Sequence, residues 1–240
     1  MRIVSLVPSL TELIADLGLA ENLIGRTRFC IHPSDVMSTL PIVGGTKNPQ
    51  IEGIRQLEPD LVIANKEENR KEDVDEIRTF CEVEVTDVNT IEEALMMIHD
   101  LGRLTGTSAK ASEICDQIQQ LLPKTPYSEI RTAYLIWMNP LMSVGNDTYI
   151  HHIMERWGLI NIYGDKTRYP ELSDEDLIQS KPELLLLSSE PYPFREKHLA
   201  MFKEMLPETR TELVNGEWFS WYGSRMAKTF GKLTEWREGL

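Results

Sequence analysis

The chain has 240 residues, 41% of them apolar and 26% charged, and a formal net charge of −13. That length permits one large domain or two lobes of roughly 100–120 residues. The negative charge argues against nucleic acid, whose phosphates it would repel, and no run reaches the ~18 apolar residues of a membrane helix.

The first residues enter a strand at once, with no basic segment, apolar stretch and small-residue cleavage site ahead of them. The expectation is either a cytoplasmic chain or one whose leader has been removed. Residues 2–6 run into Val7-Pro8-Ser9. Ser9 with Glu12 reads as a capping box opening a helix to about Gly18. Short extended pieces follow at 23–26 and 41–43, then a tight turn at Gly44-Gly45. Asn48-Pro49 reads as a cap followed by proline at the first helical position, opening a helix over 49–57. Glu58-Pro59-Asp60 leads into a buried strand at 61–64. A charged loop precedes a helix over 72–80, and a strand near 82–85 closes the first half.

Residues 90–122 hold the longest helical pattern. Ile91, Leu95, Ile98 and Leu101, then Ala111, Ile114, Ile118 and Leu121, recur at steps of three and four. Thr90 with Glu93 marks its start, Gly106 divides it in two, and Pro123 ends it. The second helix, about fifteen residues at 1.5 Å each, would span roughly 22 Å, enough to join two lobes.

After that spine the alternation returns. Strands are expected at 132–137, 184–187 and 211–214. Helices are expected from Asp147 to Trp157, from Ser173 to about Ser180, from the loop at 192–195 to about Met205, and over 224–237. Strands alternating with helices indicate α/β units with mainly parallel sheets. The expected division is an N-terminal lobe at 1–105, a connecting backbone helix at 106–124 and a C-terminal lobe at 125–240.

The halves repeat. Residues 54–63 and 177–186 both read helix end, charge, proline, acid, buried strand, at an offset of 123. Gly18-Leu19 and Gly158-Leu159 form a second match. Glu52 and Glu175 each lie seven residues before the repeated proline, in the first turn of a helix. An acid there complements the helix dipole; the symmetry also suits a pair of docking charges for an arginine-bearing partner.

Ligands of open parallel sheets bind beyond the carboxyl ends of the strands, and in a two-lobed protein those loops are expected to face a shared cleft. They carry Phe29, Thr46, Asn65, Trp137, Tyr149, Tyr169 and the aromatic segment from Glu217 to Arg225. Four aromatics in five residues between Glu217 and Arg225 suit a large planar or partly apolar ligand. Trp218 and Phe219 can equally be core, so Trp221, Tyr222 and Arg225 are the expected contacts. Enzyme signals are weak: there is no phosphate loop, no dinucleotide fingerprint and no nucleophile elbow. Cys30, Cys81 and Cys115, odd in number and widely spaced, suggest neither a disulfide framework nor a zinc site. Cys81 and Cys115 read as small core residues. No protein-ligated metal is expected, although His152 or Tyr222 could offer an axial ligand to a metal inside a bound complex.

The stretches 3–12, 58–64 and 218–225 resemble those of the substrate-binding proteins of metal-complex importers with a helical backbone, most of all the cobalamin-binding branch. That resemblance spans nearly the whole chain. It implies two Rossmann-like lobes, a rigid connecting helix, and a ligand held between the lobes. The ligand would be a corrinoid or a similar complex, such as haem or an iron–siderophore, rather than an intrinsic cofactor. It also implies a permease whose arginines meet Glu52 and Glu175, a monomeric carrier, no catalytic residues and an extracytoplasmic location. Thr46 and Asn65 stand where the vitamin receptors would carry aromatics. The competing expectation is a cytoplasmic enzyme or chaperone of tetrapyrrole metabolism on the same scaffold; a third is a sensor docking a regulatory protein.

Overall fold

Ile3–Ser5 is fully buried and forms strand β1, the second of four parallel strands. The computed structural model describes all 240 residues and divides into two units. The first comprises Met1–Val88, Glu92–Gln120 and Tyr222–Lys228. The second comprises Asn89–Ile91, Leu121–Trp221 and Thr229–Leu240.

In the first unit β1 leads into α1 (Pro8–Ile14), with proline at its first turn and Val7 as N-cap. The expected Ser9–Glu12 box is not formed, because the Glu12 carboxylate turns to Arg225 and Lys228 instead. The helix widens through Leu19 and breaks at Gly18, whose φ of +88° favours glycine. Then come β2 (Leu23–Arg26), α2 (Ser34–Met37), α3 (Ile51–Gln56), β3 (Leu61–Asn65), α4 (Lys71–Ile77) and β4 (Glu82–Thr86). Asn48-Pro49 does not open α3. Gly44 bridges to Pro49 in extended pairing, and the helix starts two residues later, after Gln50. The sheet order is β2-β1-β3-β4, all parallel. Val4, Leu6, Ile54, Val62, Ala64 and Ile77 form one core on its α3–α4 face.

Helices α5 (Ile91–Leu104) and α6 (Ser108–Leu121) follow, parted at Gly106 with φ +74°. They pack as an antiparallel hairpin. A side chain on Gly102 would meet the Ala111 methyl at 2.5 Å, and the Cys115 thiol donates to the Leu95 carbonyl at 3.6 Å.

The second unit contains β5 (Ile130–Leu135), β6 (Leu141–Met142), α7 (Tyr149–Arg156), β7 (Leu159–Asn161), β8 (Glu171–Leu172), α8 (Asp174–Ser180), β9 (Leu184–Ser188), α9 (Glu196–Met205), β10 (Arg210–Val214) and α10 (Glu217–Ser220). Helix α11 (Arg225–Glu238) begins in the first unit and ends in the second. Thr148, not Asp147, caps α7, accepting from the His151 amide at 3.3 Å. Ser173 caps α8 in a full box with Asp176. The main sheet is β7-β5-β9-β10, all parallel, with β6 and β8 paired antiparallel beside it. Leu135, Leu177, Leu185, Leu187 and Phe202 fill one face; the indole of Trp157 lies 4.8 Å from Phe230 on α11.

The two sheets have one topology, with β1, β2, β3 and β4 matching β5, β7, β9 and β10. The repeated proline–acid motif has one structural job. Arg2 donates its amide to Asp60 Oδ2 at 2.7 Å and its guanidinium to the Leu57 and Glu58 carbonyls at 2.6 and 3.0 Å. Arg131 donates its amide to Glu183 Oε2 at 3.0 Å and its guanidinium to the Ser180 carbonyl at 2.8 Å. Each arginine thus satisfies carbonyls left open at a helix end. Each helix leaves through a left-handed residue, Glu58 at φ +47° and Lys181 at φ +45°.

Candidate functional site

The carboxyl ends of the parallel strands gather the polar and aromatic residues of each unit. In the first, Thr11 Oγ1 donates to Ser5 Oγ at 2.7 Å, while the Cys30 thiol lies 3.0 Å from Thr11 Oγ1 and 3.2 Å from Thr27 Oγ1. Burial pushes the Cys30 thiol up, so it stays protonated. This network ties the loop after β2 to α1 and leaves Phe29 outside it, 54% exposed. The Phe29 ring lies over Gly45, where an added Cβ would stand 3.4 Å from it and 2.5 Å from Asn48 Oδ1. A side chain there would have to displace the Asn48 amide.

Thr46 and Asn65 are buried. The Asn65 side-chain amide donates to the Thr86 carbonyl and hydroxyl at 2.9 and 3.1 Å, and its oxygen accepts from the amides of Glu67 and Glu68 at 2.8 and 3.2 Å. Asn69 donates to the Thr46 carbonyl at 2.9 Å and accepts from the Asn65 amide at 2.8 Å. These residues shape the loops and turn little surface outward; Lys47, bonded to the Glu67 carbonyl, stands at their exposed side.

Residues 222–228 close this unit. The Tyr222 hydroxyl is buried between Thr86 and Ser9, and burial, with Glu68 and Glu67 nearby, raises its pKa. It is therefore a neutral phenol held by the protein. Arg225 Nε donates to Glu12 Oε2 at 2.7 Å; Lys228 Nζ donates to Glu12 Oε1 at 2.8 Å and to Asp16 Oδ2 at 2.6 Å. The Glu12 side chain is 3% exposed, so its charge is met by two cations. Arg225, expected to face a ligand, anchors the end of the chain to α1.

In the second unit Trp137 follows β5 and is 40% exposed. Its indole meets the Tyr192 ring edge-on at 5.7 Å, and Tyr192 in turn meets Phe194 at 4.8 Å and His198 at 5.5 Å. His198 Nδ1 accepts the Arg195 amide at 2.9 Å, which leaves Nε2 to face the Tyr192 hydroxyl at 3.3 Å. Burial, with Lys197 and Arg195 nearby, lowers the His198 pKa and keeps the ring neutral. Tyr169 is half-buried with the Arg168 guanidinium 5.6 Å from its ring centre. Tyr149, at the start of α7, lies in the core. Trp221 is 9% exposed, and its indole N–H donates to Glu190 Oε1 at 2.7 Å beside Ser220 Oγ at 2.8 Å. Glu217 opens α10, half-buried. Phe219 is core, between Tyr134 at 5.0 Å and Trp236 at 6.0 Å.

The first unit thus brings Thr46 and Asn65 into one hydrogen-bonded lattice with Asn69, while Phe29 stands outside it. The second unit joins Trp137 to Tyr192 and Trp221 to Glu190. Sequence reasoning placed Tyr192 in a strand-end loop without choosing it, and passed over Glu190; the prolines on both sides of Tyr192 were the available signal. His152, offered as an axial ligand, sits in the first turn of α7; its neighbour His151 is fixed to Asn161 at 3.1 Å. No group of three or more His, Cys, Asp or Glu side chains is placed to hold a metal ion, and no helix is long and apolar enough to cross a membrane. Glu52 and Glu175 occupy the same place, in the first turns of α3 and α8, and both are exposed. The Glu52 carboxylate lies 3.4 Å from Arg55 Nε.

The family described as periplasmic binding protein matches residues 3–211. The chain belongs to that family. Among curated relatives, this binding protein is 25% identical to an uncharacterized ABC transporter substrate-binding lipoprotein of Bacillus subtilis, over 77% of its own length and 62% of the relative's. It is 24% identical to the vitamin B12-binding protein of Vibrio parahaemolyticus, over 91% and 82%. Among solved structures it resembles the periplasmic heme-binding protein RhuT of Roseiflexus sp. RS-1 in apo form, with a TM-score of 0.84, 20% identity and coverage of 99% and 98%. The shared fold is the two parallel α/β sheets.

Proposed function

We propose that this binding protein carries a corrinoid or a similar metal complex, haem or a ferric siderophore, and delivers it to the permease of an ABC importer. The observation that carries the reading is the pair of exposed rings at strand ends, Phe29 in one unit and Trp137 in the other, in a chain of a ligand-carrying family. Rings give a planar, partly apolar guest contact area at low entropic cost. The vitamin B12-binding and heme-binding relatives support the ligand class. Tyr169 and Tyr192 extend the aromatic surface; Lys47, Glu190 and Glu217 supply polar contacts. Thr46, Asn65, Tyr149, Trp221, Tyr222 and Arg225 shape and brace these loops. The protein works as a monomeric binder rather than a catalyst, outside the cytoplasm.

Glu52 and Glu175 dock the permease. They sit on matched helices, are open to solvent and suit bidentate pairing with arginine. Equilibrium dialysis against cyanocobalamin, haemin and a ferric hydroxamate tests the ligand; retention of none overturns the reading. Transport with Glu52→Ala and Glu175→Ala combined tests the docking. Uptake should fall at least tenfold while ligand affinity stays constant, and unchanged uptake would remove the docking role.

A further inference from the structure

The edge strands of the two sheets occupy the same place and differ in what covers them. Glu84 on β4 pairs in register with Ile63, and Glu212 on β10 pairs in register with Leu186. Ile63 and Leu186 are themselves equivalent at the repeat offset, so Glu84 and Glu212 are structural twins. In the second unit the Glu212 carboxylate is fully used. Arg210 Nε donates to Oε1 at 2.7 Å and the Trp236 indole N–H donates to Oε2 at 2.9 Å. Trp236 belongs to α11, which covers that edge.

In the first unit the place of Arg210 is taken by Glu82. No indole or guanidinium reaches Glu84 as Trp236 reaches Glu212. Glu84 is half-buried, and its carboxylate makes no hydrogen bond or ion pair. The space between β4 and α5 is a groove of about 270 Å³, lined by Glu84, Val85, Asp87, Glu93, Met96 and Asp100. Met96 is 58% exposed. Lys66 and Arg103 offset Asp87 and Asp100 at its rim; the Glu84 carboxylate has no such cation.

We propose that this groove is a docking site for a basic helical segment of a partner protein, which inserts an indole or guanidinium onto Glu84 and lays apolar side chains on Met96. The twin edge shows what the surface accepts: an N–H donor on a planar side chain, carried by a helix whose residues 225–240 hold four cations and two acids. The acidic lining selects a cationic partner. A second copy of this chain, at net charge −13, is disfavoured. The proposal stands whether or not the ligand reading above is correct.

The test uses the full chain labelled with ¹³C-methyl methionine, with the Met96 and Met97 signals assigned by Met96→Leu and Met97→Leu. The probe is a capped peptide copying residues 225–240, added at low salt. The expected result is a saturable shift of the Met96 and Met97 methyls, with a dissociation constant below about 1 mM, fading as salt is raised. Glu84→Lys should abolish the shift. Glu82→Arg should weaken it at least threefold, by giving Glu84 the internal partner that Glu212 has. Both variants should unfold at the parent's denaturant concentration, since they lie at an edge. Absence of a saturable shift, or a shift that survives Glu84→Lys, overturns the proposal.

Discussion

The two units share a frame and differ at its ends. Both run four parallel strands in the same order, and both seal a helix end with an arginine at the start of the first strand and an acid after proline. At the strand ends the first unit uses an asparagine–threonine lattice around Asn65, whereas the second uses rings packed edge-on around Tyr192. The frame is repeated because each sheet needs its helix turned back at the same point. The loops carry no such demand, so they have diverged toward different contacts.

Phe219 has no exposed surface and fills the second unit between Tyr134 and Trp236. Phe219→Ala should cost about 3–5 kcal/mol in urea unfolding, whereas Phe29→Ala in the first unit should change stability by less than about 0.5 kcal/mol. Equal losses would show that Phe29 is packed rather than presented.

Glu12→Ala should destabilise the first unit by about 3 kcal/mol, because it removes the buried carboxylate that ties Arg225 and Lys228 to α1. Lys228 adds less, being 45% exposed and still paired with Asp16. A loss under about 0.5 kcal/mol would mean that residues 222–228 hold to α1 by packing alone.

Ser173→Ala should cost about 1 kcal/mol through loss of the α8 cap. At the matching place on α3, Gln50 makes no side-chain cap, so Gln50→Ala should be near neutral. Thermal unfolding of the two variants side by side checks this.

The smallest effect is in pH. His198 is held neutral, its folded pKa depressed below the ordinary 6.5 by burial. The unfolded chain binds that proton first. The stability contributed by His198 is therefore complete above about pH 6.5 and is lost as pH falls through the depressed folded value. Denaturation midpoints between about pH 7 and 5 should decline less in His198→Gln than in the parent; parallel slopes would remove His198 from the account.

Much of the frame was legible. Pro59-Asp60 and Pro182-Glu183 marked it because proline, acid and a buried strand are local features. Gly106 and Ser173 acted where their chemistry placed them, as helix break and cap. The failures share a cause in distance. Glu12 read as a cap partner for Ser9 because its true partner, Arg225, lies 213 residues away. Trp221 and Tyr222 read as open contacts, yet their polar atoms are met by Glu190 and by Thr86 and Ser9, which no local pattern reveals. Thr148 took the cap assigned to Asp147 because the Asp147 carboxylate is used by the Arg168 amide. Phe29 and Trp137, expected to be presented at strand ends, do stand there with exposed rings, a placement that depends on local sequence alone.

The most direct measurement is the affinity of the parent, Phe29→Ala, Trp137→Ala and the double variant for whichever of cyanocobalamin, haemin or ferric hydroxamate the parent retains. Each single change should weaken binding about tenfold, which is 1.4 kcal/mol, with the double variant weaker still and all four proteins unfolding at closely similar denaturant concentrations. Undiminished affinity in the double variant would contradict ligand contact through these two rings.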